Sequence, residues 1–180
     1  MERIKLHDKE FKICIPYEQI MESIKKVANK MNSDYAEKDA PIFLAVLNGS
    51  FMFAADLMKF ITFNCEISFI KLSSYSGTGT TGTVKEMIGL STPIKGRNVV
   101  IVEDIVDTGG TVEVLHKLVS DAGAADIKIC TLLLKPEAYK KDIPVDYTAI
   151  SIPNDFIVGY GLDYDELGRN YKDIYVLEPK

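Results

Sequence analysis

The segment from Val99 to Thr111 joins an apolar run to a group of side chains that can bind a ligand. Four β-branched residues, Val99–Val102, precede the adjacent carboxylates Glu103 and Asp104. Such a run predicts a strand that is buried on both faces, as in a parallel sheet. Neighbouring carboxylates repel each other, so at a strand end they are favoured where a metal ion or a polyhydroxyl ligand shares their charge. We therefore expect a ligand at Glu103 and Asp104.

A turn of small residues follows these acids, and its chemistry complements theirs. Its members are Asp107, Thr108, Gly109, Gly110 and Thr111. Apolar residues at helical spacing from Leu115 to Ala122 predict a helix whose first N–H groups, with two glycines and two hydroxyls, form a cradle for a phosphate. Diol-binding acids beside such a cradle suit a ribose phosphate. The alternative is an ordinary strand-turn-helix in which Asp or Thr caps the helix.

Length and composition favour one small-molecule-binding domain over residues 1–180. The chain has 180 residues, 47% of them hydrophobic, which suffices for one well-buried core and hardly for two. A net charge of -5 argues against nonspecific binding to nucleic acid and against a polybasic membrane-binding surface, since both need clustered Lys and Arg. We therefore expect a small ligand, no nucleic acid and no membrane partner.

The cysteines and the first residues favour a cytoplasmic location. Cys14, Cys65 and Cys130 are an odd number in apolar, strand-like surroundings, which predicts buried thiols in a reducing compartment. The charged start, 1–11, lacks the apolar core of a signal peptide, and no apolar run approaches membrane-spanning length.

Hydrophobic periodicity predicts alternating strands and helices around the ligand-binding segment. A helix should follow Pro16 and another should cover Phe51–Ile61, while strands are expected at Ile42–Leu47, Cys65–Leu72, Val99–Val102 and Ile127–Leu134, with three short ones near the C-terminus. This order predicts an α/β fold with a mostly parallel sheet and helices on both faces. Ligands bind at the carboxyl ends of such strands, where Asn48, Gly49, Glu103, Asp104 and Lys135 fall.

The segment Ser73–Thr83 consists almost entirely of Ser, Thr and Gly, which predicts a mobile loop. It is either a lid over the site or a plain surface loop. Gly77, Gly79 and Gly82 match the spacing G-x-G-x-x-G, but no long helix is predicted after them. Dinucleotide binding is therefore disfavoured.

Several segments together resemble the type I phosphoribosyltransferases, specifically their hypoxanthine-guanine branch. Glu103–Thr111 resembles the motif of that family for phosphoribosyl pyrophosphate (PRPP). The other matching residues are Leu47, Asn48 and Gly49 in the pyrophosphate loop, Ser74 and Tyr75 in the lid, Lys135 and the stretch Phe156–Tyr160 at the purine, and Asp163 and Arg169 at magnesium and pyrophosphate. Their order and rough spacing are kept from about Leu44 to Leu177.

The resemblance implies a fold, a reaction and a role for each site residue. It implies the parallel sheet flanked by helices, with a small hood formed by the N- and C-terminal segments, and the conversion of PRPP and hypoxanthine or guanine to the nucleotide and pyrophosphate. By resemblance, Glu103, Asp104 and Asp163 hold Mg²⁺; Glu103 and Asp104 also hold the ribose; and Asp107 takes the purine N7 proton. The remaining roles are the 5-phosphate cradle at Thr108, Gly109, Gly110 and Thr111, pyrophosphate binding at Asn48, Gly49 and Arg169, and purine binding at Lys135, Phe156 and Ile157. A homodimer or homotetramer is also expected.

The residues by themselves leave alternatives open. Lys135 alone would be a solvated surface lysine, an aromatic such as Phe156 beside Ile157 is more often core, and Arg169 can fork onto a phosphate or pair with the acids near Asp163. A regulator that binds PRPP without turnover is the rival function, although no DNA-binding segment or basic stripe is visible.

Two positions depart from the family pattern, since Asn48 and Ser73 stand where many members carry lysine. They put in doubt any pyrophosphate affinity or subunit contact that depends on those charges. The choice among hypoxanthine, guanine and xanthine is likewise left open.

Overall fold

The structure is a computed structural model that describes residues 3–74 and 84–178. Its elements are β1 (Arg3–Leu6), β2 (Lys9–Ile15), α1 (Tyr17–Asp34), β3 (Ile42–Val46), α2 (Phe51–Met58), β4 (Glu66–Ser74), β5 (Val84–Ile88), β6 (Asn98–Val106), α3 (Gly110–Asp121), β7 (Asp126–Leu134), β8 (Tyr147–Ser151), β9 (Ile157–Val158) and β10 (Ile174–Leu177).

The central sheet has the strand order β5-β4-β3-β6-β7-β8. Five strands pair in parallel, in the order β4, β3, β6, β7 and β8. Strand β5 pairs with β4 in the antiparallel direction and forms one edge of the sheet. Successive residues of a strand point to opposite faces. Phe43 and Ala45 accordingly pack with α1 and α2 on one face, whereas Ile42 and Leu44 pack with α3 on the other. The predicted α/β fold with helices on both faces is confirmed.

The two ends of the chain form a second sheet with the order β1-β2-β10-β9, which is antiparallel throughout. It covers a small core of its own that includes Leu6, Phe11 and Val158. This is the expected hood. Strands β1 and β2 were not predicted from the sequence, although Ile4 and Leu6 in β1 and Phe11, Ile13 and Ile15 in β2 alternate with other residues. Such alternation is typical of strands with one buried face.

Strand β6 is longer than the apolar run predicted. Its pairing with β3 ends at Val102, but its pairing with β7 continues to Val106. Glu103 and Asp104 therefore lie within β6, beyond its paired residues with β3, and not after the strand. The extension places them beside the end of β3 and brings Asp107 to the edge of the sheet.

Burial of the cysteines is only partly as expected. Cys130 is buried and Cys65 is half-buried, but Cys14 is exposed, and all three are free thiols. The prediction of a buried thiol is therefore wrong for Cys14, which lies in the hood strand β2.

Two further expectations concern the lid and the membrane. Tyr75 and most of the predicted lid, 75–83, lie outside the described residues, so the lid stays a prediction. In the part of the chain that the structure describes, no helix combines the length and the hydropathy that crossing a bilayer requires.

Candidate active site

Glu103 and Asp104 line a cavity of about 550 Å³ between the ends of β3 and β6 and the start of α3. Glu103 is only 4% exposed, and its Oε1 atom has no hydrogen-bond partner among the described residues. Burial raises the pKa of Glu103 well above its usual range, and the neighbouring Asp104 charge adds to the effect. Burial also raises the pKa of Asp104 to about 6. Two carboxylates held in this way favour a positive or hydrogen-bond-donating ligand.

The same observations fit Mg²⁺ and a ribose diol. Mg²⁺ prefers oxygen ligands and is commonly held by one or two carboxylates together with substrate phosphates. Within residues 3–74 and 84–178 there is no group of three or more His, Cys, Asp or Glu side chains that could hold a metal by itself. The unpartnered Oε1 of Glu103 and the adjacent Asp104 carboxylate supply acceptors that either a metal or ribose hydroxyls would satisfy.

The turn after β6 forms an open cradle at the start of α3. Gly109 is the N-cap residue and has a left-handed backbone with a φ of 86°. A β-carbon at Gly109 would collide with the side chains of Tyr139 and Lys141, whereas one at Gly110 would meet nothing within 4 Å. The first N–H groups of a helix have no partner within the helix. Residues 103–112 line a cavity of about 310 Å³ here, so the backbone is accessible to a phosphate.

The capping alternative for this turn does not hold. The N-cap residue of α3 is Gly109, which has no side chain, and among the described residues Asp107 and Thr108 make no hydrogen bond to the start of the helix. Both residues instead line the small cavity. Neither side chain is committed to the helix end, and that of Asp107 instead pairs with Lys135.

Lys135 and Asp107 form an ion pair at the ends of β7 and β6. Lys135 Nζ donates to Asp107 Oδ2 at 2.8 Å. The Lys135 side chain is 9% exposed and that of Asp107 is 44% exposed. The alternative of a solvated lysine is therefore wrong for Lys135.

The segment after β3 approaches Asp104 closely. The peptide bond between Leu47 and Asn48 is cis. A β-carbon at Gly49 would overlap the Asp104 carboxylate, and one at Gly161 would overlap the Gly49 carbonyl oxygen. Three segments that are distant in the sequence thus meet through two glycines. The sequence predicted Gly49 at this site, but it did not predict Gly161, since its role is visible only in the packing.

Arg169 lies in the loop before β10 and joins this cluster. Its Nη1 donates to the Gly161 carbonyl at 2.8 Å, and its Nη2 pairs with Asp163 Oδ1 at 2.7 Å. The positive charge of Arg169 lowers the pKa of Asp104 and the charge of Asp163 raises it, although burial dominates. Arg169 and Asp163 are therefore within electrostatic reach of the Asp104 carboxylate, and Arg169 also pairs with the acids at Asp163 and Glu166.

Phe156 and Ile157 lie at the start of the hood strand β9. Phe156 is 45% exposed, so it is not the core aromatic that the alternative interpretation favoured. Ile157 is 8% exposed and packs in the main core, which leaves its backbone rather than its side chain for a ligand.

Comparison with known proteins identifies the same family over nearly the whole chain. The family model of the phosphoribosyl transferase domain matches residues 16–165. The hypoxanthine-guanine phosphoribosyltransferase of Streptococcus pneumoniae is 43% identical over 168 residues, which cover 93% of each chain. That of Lactococcus lactis is 42% identical over 170 residues, covering 94% of this chain and 92% of the relative.

Solved structures agree with the sequence matches. A hypoxanthine-guanine phosphoribosyltransferase from Bacillus anthracis superposes with a TM-score of 0.86 at 40% identity, covering 93% of this chain and 98% of that one. A hypoxanthine phosphoribosyltransferase from Staphylococcus aureus gives a TM-score of 0.86 at 37% identity, covering 93% and 91%. The chain thus belongs to the phosphoribosyltransferase family, in its hypoxanthine-guanine branch, and is a pentosyltransferase.

Proposed function

We propose that this enzyme transfers the phosphoribosyl group of PRPP to hypoxanthine or guanine, with Mg²⁺, to give the nucleoside monophosphate and pyrophosphate. The observation that carries the proposal is the convergence of three groups at one edge of the central sheet. These are the buried acids Glu103 and Asp104, the uncapped start of α3, and the Lys135–Asp107 ion pair. Each supplies one of the functions that this transfer requires.

PRPP is bound through its ribose and its 5-phosphate. Glu103 and Asp104 accept hydrogen bonds from the ribose hydroxyls, which compensates for the burial of their carboxylates. The 5-phosphate accepts hydrogen bonds from the backbone N–H groups and hydroxyls of its cradle, which consists of Thr108, Gly109, Gly110 and Thr111. A β-carbon at Gly110 would meet no atom within 4 Å, so the phosphate has room to approach the Gly110 backbone.

Glu103 and Asp104, with Asp163 on the pyrophosphate side, would hold Mg²⁺, which when bound would neutralise negative charge on the substrate. Pyrophosphate itself is bound by the backbone at Asn48 and Gly49 and by Arg169, whose planar guanidinium can form a bidentate contact with phosphate. When pyrophosphate binds, Arg169 gives up its contact with Asp163 and contacts the phosphate instead.

The purine lies between the Lys135–Asp107 pair and the hood. Lys135 donates to the 6-oxo group, the exposed ring of Phe156 stacks on the base, and the backbone of Ile157 contacts its far edge. As the bond between the anomeric carbon and pyrophosphate breaks and the bond to the purine nitrogen forms, the proton at N7 passes to Asp107. The segment that begins with Ser74 and Tyr75 excludes water from the cation-like transition state in this proposal.

The oligomeric state and the location complete the proposal. By likeness to the family we expect a homodimer or homotetramer in the cytoplasm. Size measurement by light scattering tests the first of these expectations.

Release of pyrophosphate, measured for hypoxanthine, guanine, xanthine and adenine in parallel, tests the proposed reaction. We expect turnover with hypoxanthine, guanine or both, no turnover with adenine, and loss of turnover when EDTA removes the metal. The matched control is Asp107→Asn, which keeps the size of the side chain. PRPP binding by calorimetry without turnover of any base would instead support the regulator.

A further inference from the structure

The turn of the N-terminal hairpin contacts a loop of the candidate site that is far away in the sequence. His7, Asp8 and Lys9 all lie at this turn, and all three contact Tyr164 or Asp165. His7 Nε2 lies 3.2 Å from the Asp165 carbonyl oxygen, and the rings of His7 and Tyr164 are perpendicular with centroids 5.5 Å apart. The hairpin thus reaches the loop that carries Asp163.

The Tyr164 hydroxyl is the centre of this contact. Lys9 Nζ donates to the Tyr164 hydroxyl oxygen at 2.6 Å, and the hydroxyl donates to Asp8 Oδ1 at 2.8 Å. Lys9 Nζ also lies 3.9 Å from the centroid of the Tyr164 ring, within range of a cation–π interaction. The hydrogen bond with Tyr164 is the main cause that raises the pKa of Lys9, so its ammonium stays charged.

The Tyr164 ring in turn holds the ring of Phe156. The two rings are 5.7 Å apart at an angle of 87°, which is the edge-to-face arrangement that aromatic pairs favour. Lys9 Nζ lies 6.0 Å from the Phe156 centroid, and Phe11 lies 6.1 Å away on a tilted plane. Phe156 nevertheless remains 45% exposed. The ring of Phe156 is therefore held on one part by Tyr164 and Phe11, and the rest of it is exposed.

The loop needs such support because its backbone is strained. Asp165 and Glu166 have φ values of 46° and 68°, which are uncommon for residues other than glycine. Residues in such conformations persist where their surroundings hold them. The contacts from His7 and Lys9 provide support next to Asp163.

We propose that Lys9 and Tyr164 are positioning residues for purine binding, which fix the orientation of the Phe156 ring through the Lys9–Tyr164–Asp8 chain of hydrogen bonds. The inference rests on the proposed function, since it takes Phe156 as the residue that stacks on the purine. Hydrogen bonds at this half-exposed site add little to folding, because water competes for the same groups. We therefore expect their loss to change the orientation of Phe156 more than the stability of the fold.

Tyr164→Phe tests this inference, because it removes the hydroxyl and keeps the ring. We expect KM for hypoxanthine to rise roughly three- to tenfold, the range that one lost hydrogen bond corresponds to, while KM for PRPP changes less than about twofold. Lys9→Met should give the same split, and Lys9→Arg should restore the parent value, since arginine keeps the charge and the donor. The matched control is Lys5→Met, which removes the same charge from an exposed position of the same hairpin.

A second measurement does not depend on activity. The aromatic ¹H–¹³C signal of Phe156, assigned by its absence in Phe156→Leu, should shift in Tyr164→Phe and Lys9→Met and stay in place in Lys5→Met. If the parent enzyme turned over no purine, the proposed function would fail, and this signal would still report whether the chain of hydrogen bonds orients Phe156. An unchanged signal and an unchanged KM for hypoxanthine in both variants would overturn the inference, as would equal effects of Lys5→Met and Lys9→Met.

Discussion

The ammonium of Lys135 lies 2.8 Å from a carboxylate oxygen of Asp107, although 28 residues separate them in the sequence. The pair joins the proposed purine donor to the proposed base. Its geometry depends on the parallel pairing of β6 with β7, which sets Val106 opposite Leu134 and so aligns the residues that follow each strand. The backbone N–H of Lys135 also donates to the Val106 carbonyl at 2.9 Å, which holds the two strand ends together.

Lys135→Met should weaken purine binding more than PRPP binding. A hydrogen bond to a charged group contributes about 1.5 to 3 kcal/mol, which corresponds to a rise of roughly 10- to 100-fold in KM for hypoxanthine. Lys140→Met is the matched control, because Lys140 is exposed. Steady-state kinetics with each substrate varied in turn would check this. Equal losses for both substrates would place Lys135 outside the purine site.

Asp107→Asn should lower kcat by roughly 10² to 10⁴, because asparagine keeps the size of the side chain and cannot accept the proton. Since Asp107 does not cap α3, the cradle should survive the change. Affinity for PRPP, measured by calorimetry with Mg²⁺, should therefore stay near that of the parent. A parallel fall in affinity and turnover would show that Asp107 shapes the cradle instead.

The double variant with Glu103→Gln and Asp104→Asn should lose PRPP affinity and gain stability without ligand. The amides cannot hold a metal ion as the carboxylates would, yet they carry no buried charge. Calorimetry with PRPP and Mg²⁺ would measure the loss, and thermal unfolding at pH 8 with EDTA would measure the gain. Retained affinity would return the acid pair to a structural role.

Stability of the metal-free protein should fall as pH rises through the range in which Asp104 ionises. Asp104 has a folded pKa of about 6, above the usual unfolded value of about 3.9, so between these values the folded protein binds more protons than the unfolded chain. The stability present below pH 4 is therefore lost as pH rises to 6, by up to about 3 kcal/mol. Denaturant unfolding at pH 4.5 and 7 should show a smaller decrease for Asp104→Asn than for the parent. Equal decreases in stability for the parent and for Asp104→Asn would contradict the raised pKa of Asp104.

Gly161→Ala should impair the site as well as the fold. Gly161 has a φ of 97° and faces the Gly49 carbonyl, which a β-carbon would displace together with the contact to Asp104. The matched control is Gly96→Ala, where φ is 72° and no atom lies within 4 Å of the added carbon. Both variants should lose about 1 kcal/mol of stability from the backbone alone. Only Gly161→Ala should raise KM for PRPP, and a normal KM there would contradict the proposed contact.

The sequence alone determined the fold class and most members of the candidate site. The run from Val99 to Thr111 predicted a buried strand, an acid pair and a phosphate cradle, because these signals are local and repeat with the period of a strand or a helix. Polar residues that follow predicted parallel strands were expected close together, because the carboxyl ends of such strands meet at one edge of the sheet. The resemblance to the family added Asp163, Arg169 and Phe156.

Tertiary structure decided how these residues combine. Local patterns do not specify which strands pair or in which register, so the sequence indicated neither the Lys135–Asp107 pair nor the approach of Gly161 to Gly49. It also did not show that β6 extends past its acids, since that extension depends on pairing with β7. The hairpin β1–β2 has apolar alternation of its own, but its pairing with β10 and its contact with Tyr164 depend on the tertiary structure. Contacts such as that between Lys9 and Tyr164, which are 155 positions apart, depend on how both sheets pack and are not specified by local patterns.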